Sequence, residues 1–247
     1  MSRLITNTTL IRRDRLRQLK ERESGWHDLQ FIKAIPPQHR SRCIDLLDHG
    51  HSQIRQDLFA LAQLDFKEGG FFVEFGATNG VSLSNTCLME REFGWTGILA
   101  EPSRGWHDEL RQNRTATIDT RCVWKETGST VQFTQARREV NSAISEFASA
   151  KDKLRGSRYE VKTISLNDLL SEHGAPEHID YMSVDTEGSE FDILQALDFD
   201  RWSFGVLTVE HAHLPQQDDI HALLSAKGYK RVLTELSMFD DWYVPAN

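Results

Sequence analysis

Four short stretches of this 247-residue chain set chemistry-bearing side chains beside turns. In Glu74-Phe75-Gly76-Ala77-Thr78-Asn79-Gly80 a carboxylate precedes two glycines four residues apart, and glycine lets a backbone turn sharply and approach a ligand closely. Glu101-Pro102 lies 25 residues after Gly76, where a carboxylate can accept two hydrogen bonds from a ribose diol. Asp185-Thr186-Glu187-Gly188 and Glu210-His211-Ala212-His213 add carboxylates and imidazoles. The full G-x-G-x-x-G fingerprint is absent and no Walker lysine follows, which counts against nicotinamide dinucleotides and nucleoside triphosphates. Two acids, Glu74 and Glu101, suit a cationic ligand better than a pyrophosphate. S-adenosylmethionine, a sulfonium without phosphate, is such a ligand.

Side chains on separate stretches can meet only if the elements between them bring their ends together. From Gly69-Gly70 onward, short apolar runs alternate with amphipathic segments. Strands are expected at 71–75, 97–100, 117–123, 161–166, 179–184 and 206–210, with helices at 83–92, 106–112, 169–173, 191–197 and 218–227. Strand-like pieces at 230–236 and 241–244 close the chain. Such alternation implies an α/β fold, a mostly parallel sheet covered by helices on both faces. Ligands of such sheets bind beyond the carboxyl ends of the strands, where all four stretches fall. Residues 1–66 read as a helical extension: a charged stretch at 10–23, a break at Pro36-Pro37, and a helix near 52–64 that buries Ile54, Leu58, Leu61 and Ala62 on one face. Residues 67–247 form the main domain, with an irregular insert over about 124–160 in which 131–133 is a strand candidate.

The run Gly70-Phe-Phe-Val-Glu-Phe-Gly-Ala-Thr-Asn-Gly-Val-Ser-Leu-Ser-Asn-Thr86, followed by Gly94-Trp-Thr-Gly-Ile-Leu-Ala-Glu-Pro102, resembles the FkbM family of S-adenosylmethionine-dependent methyltransferases. Ser52-Gln53-Ile-Arg-Gln56-Asp57-Leu-Phe59, Thr163-Ile-Ser-Leu-Asn-Asp-Leu-Leu170 and Ile179-Asp-Tyr-Met-Ser-Val-Asp185-Thr-Glu187-Gly188-Ser-Glu190 agree with it, in the right order over about 50–235. The resemblance implies a class I, Rossmann-like methyltransferase fold whose seven-stranded sheet has one antiparallel strand, and methyl transfer usually to a hydroxyl oxygen. By position it makes Glu74, Gly76, Ala77 and Gly80 the cofactor loop and Glu101 the ribose ligand. Residues near Cys122 border the adenine, Asp185 at the end of strand 179–184 is a further cofactor contact, and Gln53, Gln56 and Asp57 close the cofactor site. Arg121-Cys122 departs from the small-residue pair of most relatives.

A sugar or polyketide hydroxyl must lose its proton as it is methylated, and the two acidic strand ends offer bases. His211 is the first choice, because an imidazole near its ordinary pKa of about 6.5 accepts a proton at neutral pH. Asp185 and Glu210 complete the catalytic set. His213 could take the same role or, with Glu187, bind the acceptor. A divalent cation on Asp185, Glu210 and one of the histidines is the competing chemistry; without H-E-x-x-H spacing, no metal is favoured. A nitrogen or carboxylate acceptor, or a non-catalytic S-adenosylmethionine-binding module, are the alternatives.

The net charge of −8 is unevenly spread. Residues 1–42 carry ten Lys/Arg against four Asp/Glu, so the remaining body is strongly acidic. Arg12-Arg13-Asp14-Arg15-Leu16-Arg17 reads as a solvated or oligomer-forming helix or as a steering patch for an anionic glycan. No aromatic residues are interleaved to stack on bases, so nucleic acid is not expected. Arg137, Arg138, Lys151, Lys153, Arg155 and Arg158 add positive charge to the insert, as a solvated loop or an acceptor-binding lid. Cys43, Cys87 and Cys122 are odd in number and widely spaced, which fits a reducing cytoplasm. No apolar run approaches the roughly 20 residues of a membrane span. The partner expected is a small-molecule or glycan acceptor, with homo-oligomerisation through the N-terminal helices possible in principle.

Overall fold

The computed structural model describes residues 13–136, 142–148, 156–211 and 215–246. In chain order the helices are α1 (Arg13–Ala34), α2 (Arg40–Asp45), α3 (Gln56–Gln63), α4 (Cys87–Phe93), α5 (His107–Asn113), α6 (Leu166–Glu172), α7 (Glu190–Gln195) and α8 (Gln216–Ala226). The strands are β1 (Phe71–Phe75), β2 (Thr96–Ala100), β3 (Thr117–Asp119), β4 (Cys122–Trp124), β5 (Thr130–Gln135), β6 (Ala143–Ile144), β7 (Ser157–Ser165), β8 (His178–Val184), β9 (Ser203–Glu210), β10 (Tyr229–Val232) and β11 (Asp240–Pro245).

Seven strands form one sheet in the order β3-β2-β1-β8-β9-β11-β10. β1, β2, β3, β8 and β9 run parallel, and β11 is antiparallel to both its neighbours. This is the sheet of the class I methyltransferase fold, with its single reversed strand. Strand order reverses between β1 and β8, so a crevice opens beyond their carboxyl ends.

Alternate residues of the central strands feed two cores. On one face Val73, Ile98, Met182 and Leu207 pack with Leu169 of α6, Ile193 of α7 and Leu224 of α8. On the other, Phe72, Leu99, Tyr181 and Val206 pack with Leu58 and Phe59 of α3 and Leu88 and Met89 of α4. The N-terminal helix joins the second core. Phe31 of α1 meets Trp242 edge-on at 6.5 Å, and Trp242 stacks on Phe59 at 4.5 Å.

Three differences from the sequence reading bear on the site. The helix expected from Leu83 starts at Cys87, because the Glu74 carboxylate accepts the Asn85 N–H and the Ser84 and Thr86 hydroxyls and draws residues 84–86 into a turn. The strand expected over 117–123 breaks after Asp119, whose carboxylate accepts both the backbone N–H and the guanidinium of Arg121. Past that break the chain leaves the main sheet. The stretch 161–166, expected to resume the parallel alternation, is the end of β7 and belongs with β4, β5 and β6 to a second sheet ordered β4-β7-β5-β6. Cys122, Trp124, Phe133, Ile144 and Val161 form its small core, so much of the insert is ordered structure. No helix among the described residues is long and apolar enough to cross a membrane.

Candidate functional site at the carboxyl ends of β1, β2, β8 and β9

β1 ends in a turn that only glycine permits. Gly76 has φ +68°, and a Cβ there would lie 2.4 Å from the carbonyl oxygen of Asp185 at the end of β8. The β1 and β8 ends therefore close to backbone contact. At the end of the neighbouring β2, buried Glu101 accepts the Thr78 N–H at one carboxylate oxygen (2.8 Å) and the Ser103 N–H at the other (2.7 Å). Two backbone donors thus fix its orientation.

A cavity of about 340 Å³ opens above these turns, within the size range of small-molecule sites. Gly76, Thr78, Glu101, Pro102, Cys122 and Val123 line one part. Gln53, Asp185, Thr186, Glu187, Glu210 and Phe239 line the other. No Lys or Arg is among the described lining residues.

Asp185, Glu187 and Glu210 each place a carboxylate oxygen within 4.8 Å of the others. Burial, then the charge of Glu187, raises the Asp185 carboxyl well above the ordinary carboxylate range. Burial, then the charge of Asp185, does the same to Glu210. Like charges this close cannot all ionise cheaply, so the cluster holds a proton at neutral pH. The three oxygens could equally surround a divalent cation. Their loop is held firmly: Glu190 Oε1 accepts the Thr186 N–H, the Thr186 hydroxyl and the Gly188 N–H. Glu187 is left-handed at φ +59°, an uncommon conformation for a residue with a side chain.

Of the residues proposed from sequence, Gln53, Gly76, Glu101, Cys122, Asp185, Glu187 and Glu210 meet at this cavity. Glu74, Ala77, Gly80, Gln56, Asp57 and His211 are not among its described lining. The Glu74 carboxylate braces residues 84–86 and faces the Arg114 guanidinium at 3.7 Å, so its charge is matched internally. Ala77 is buried in the core. Gly80, at φ +78°, makes room for Arg114, whose Cγ would lie 2.5 Å from an added Cβ. Gln56 donates to Asp240 at 2.8 Å, and Asp57 accepts from the His51 and Ser52 backbone. His211, buried one residue beyond β9, has Nε2 3.2 Å from Gln217 Nε2 and 3.8 Å from an Asp241 oxygen. Adjacent residues of an extended strand point to opposite faces, so Glu210 reaches the cavity and His211 does not. His213, Arg137, Arg138, Lys151, Lys153 and Arg155 lie outside the described residues.

Sequence reasoning missed Phe133, Ser142 and Ile144, through which the second sheet walls the cavity. Tyr159 of β7 ties that sheet to the β2 end: its hydroxyl accepts the Arg104 N–H, and the Arg104 guanidinium lies 4.3 Å from its ring centroid. The local signals were the strand candidate at 131–133, which is part of β5, and the aromatic rings of Phe133 and Tyr159. Cys122, buried with its thiol pushed up to about 12 by desolvation and by Glu101, is a neutral wall contact.

A family model described as the methyltransferase FkbM domain matches residues 74–231. No curated protein sequence matches the chain. Among solved structures, precorrin-6y C5,15-methyltransferase from Geobacter metallireducens is similar at 12% identity over 71% of this chain and 72% of that one, with a TM-score of 0.42. A methyltransferase from Pyrococcus furiosus is similar at 11% identity over 76% and 81%, TM-score 0.38. An S-adenosylmethionine-dependent methyltransferase from Geobacter sulfurreducens, in complex with S-adenosyl-L-homocysteine, is similar at 12% identity over 74% and 67%, TM-score 0.36.

Proposed function

The chain belongs to the FkbM family of S-adenosylmethionine-dependent methyltransferases, and from that premise we propose that it methylates a hydroxyl oxygen of a glycan, sugar or related natural product. When bound, the cofactor supplies a methyl group made electrophilic by the sulfonium. The residues present fit it. Glu101, fixed by two backbone N–H groups, is oriented to receive the ribose hydroxyls. The glycine turn at Gly76 admits the ligand to the backbone, and Cys122 with Val123 offers a neutral wall for the adenine. In this reading residues 67–247 form the catalytic domain and 1–66 an extension.

The observation that carries the hydroxyl acceptor is the carboxyl pair Asp185 and Glu210 in the cavity wall. A carboxylate whose proton affinity is raised by burial is a competent base for a hydroxyl that loses its proton in the transition state, typically about 10²–10⁴-fold in rate. Alignment of acceptor, methyl and sulfur contributes more, about 7–11 kcal/mol of the barrier. The same geometry favours the Asp185–Glu210 pair, which keeps one carboxylate ionised when the two share a proton, over His211 as the base. Glu187 and the second-sheet residues Phe133, Ser142 and Ile144 would then meet the acceptor. A lining with four carboxylates and no described Lys or Arg repels a carboxylate or phosphate acceptor. It leaves a neutral hydroxyl or an amine.

The test is transfer of isotope-labelled methyl from S-adenosylmethionine to panels of sugars, amines and carboxylic acids, with the product position read by mass spectrometry. Labelling of a sugar hydroxyl is expected. Labelling confined to nitrogen or carboxylate, or cofactor binding with no transfer to any panel, would sink the hydroxyl assignment.

A further inference from the structure

The cavity raises a problem for its own cofactor. S-adenosylmethionine carries a carboxylate at its amino-acid end, and the described lining offers four acidic side chains and no Lys or Arg to meet it. Among the described lining residues, the side-chain donors left to meet it are neutral. Gln53 lines the cavity with a primary amide, and among the described residues that amide makes no hydrogen bond. Its neighbours are already committed. Ser52 donates its hydroxyl to Asp57, and Gln56 accepts the Ile54 N–H and donates to Asp240.

The turn that presents Gln53 is held from the N-terminal helix. Arg55, two residues on, is left-handed at φ +74°, an unusual backbone for a residue with a side chain. Its guanidinium forms a fork on Asp28 of α1, Nε to Oδ1 at 2.7 Å and Nη2 to Oδ2 at 3.0 Å, and Nη1 donates to the Leu47 carbonyl at 2.8 Å. Both side chains are largely shielded, at 17% and 19% exposure, where a bidentate pair is stronger and more directional than on an open surface. Asp57 gathers the other side of the turn through the His51 and Ser52 N–H groups. Asp28, Gln53 and Arg55 all lie outside the 74–231 match, and the resemblance that sets Gln53 near the cofactor names neither the end of the cofactor it meets nor a role for Arg55 or Asp28.

We propose that Gln53 is the neutral donor for the carboxylate end of the cofactor, and that Arg55 and Asp28 are positioning residues that act through it. The N-terminal helix is thereby a working part of the site and not only a cover for Trp242. This rests on the methyl-donor reading of the cavity.

The experiment is calorimetric titration of the full chain with S-adenosylhomocysteine and, separately, with 5′-methylthioadenosine, which keeps the nucleoside and sulfur but lacks the amino-acid end. Gln53→Ala and Asp28→Asn are each expected to weaken S-adenosylhomocysteine about tenfold, the scale of one hydrogen bond to a charged group. Binding of 5′-methylthioadenosine should be unchanged in both. The double variant should lose no more than Gln53→Ala alone, because Asp28 acts only through Gln53. Equal losses for both ligands would mean a collapsed pocket and would overturn the proposal, as would unchanged S-adenosylhomocysteine affinity or additive losses. A wild-type chain that binds neither ligand would take the methyl-donor reading down first, a failure distinct from either of these.

Discussion

The Arg114 guanidinium lies 3.7 Å from the Glu74 carboxylate and 2.9 Å from that of Glu90, and all three side chains are at most 9% exposed. Arg114 also donates to the Gly80 carbonyl and to the Ser84 and Thr86 hydroxyls. The acid at the end of β1 is therefore half of an internal brace that shapes the turn leading into α4.

Removing the cation from that brace leaves two buried carboxylates uncompensated. Arg114→Ala should cost about 3–5 kcal/mol of folding stability, the penalty for breaking a buried ion pair. Urea unfolding followed by circular dichroism measures it. A loss under about 1 kcal/mol would show that water or rearranged donors replace the guanidinium.

Glu101 should behave differently. Glu101→Gln keeps the shape of the side chain but removes its charge and half of its acceptor capacity, so S-adenosylhomocysteine should bind about tenfold or more weakly. The same titration with NAD should show no binding to either form. An unchanged S-adenosylhomocysteine affinity would place the ribose elsewhere.

Asp185→Asn and Glu210→Gln should each lower turnover by about 10²–10⁴-fold, whereas His211→Ala should lower it by less than about tenfold. Steady-state rates on the acceptor found in the labelling assay decide between them. A large loss in His211→Ala with little loss in the carboxyl variants would return the base to the histidine.

The same two carboxyls make a stability prediction with a definite sign. Both are raised in the folded chain, Asp185 by burial and then the charge of Glu187, Glu210 by burial and then the charge of Asp185. Below about pH 4 folded and unfolded chains are both protonated, and the pair adds no pH dependence. As pH rises the unfolded chain releases its protons first, so native stability falls. In metal-free buffer, Glu210→Gln should therefore be more stable than the wild type at pH 8 by about 1 kcal/mol or more, with the difference fading toward pH 4. Thermal melts across that range would expose a wrong sign directly.

Asp119 predicts the opposite trend. Despite desolvation, hydrogen bonds from Arg121 and His173 hold its carboxyl below the ordinary range. The stability it contributes is present above about pH 4 and lost as pH falls through its lowered folded value. Asp119→Asn should be less stable than the wild type at pH 7 by about 1–3 kcal/mol, and nearly equal to it at pH 2–3. A constant difference across pH would remove the carboxylate from the account.

Much of the fold was legible because a buried parallel strand and its covering helix each write a local pattern. Phe71–Phe75 and Ile179–Val184 are apolar runs bounded by turn residues, and both are strands of the sheet. Gly76 and Glu101 were legible for the same reason, since one sets a turn and the other ends a strand. The second sheet was not, beyond the strand candidate at 131–133. Thr130–Gln135 and Ser157–Ser165 alternate burial only partly and pair across 20 or more intervening residues, so neither segment announces its partner.

The sequence by itself determined the sheet of alternating strands and helices, the family, and the strand ends at which the chemistry must gather, because each depends on periodicity or on residues adjacent in the chain. Only the tertiary structure decided which side chains at those ends reach the cavity. Glu210 and His211 are neighbours in sequence, and the register of β9 against β8 and β11 turns one toward Asp185 and the other toward Asp241. Glu74 and Arg114 are 40 residues apart, and Asp28 and Arg55 are 27. Their pairing follows from how helices dock on the sheet, which no local pattern encodes.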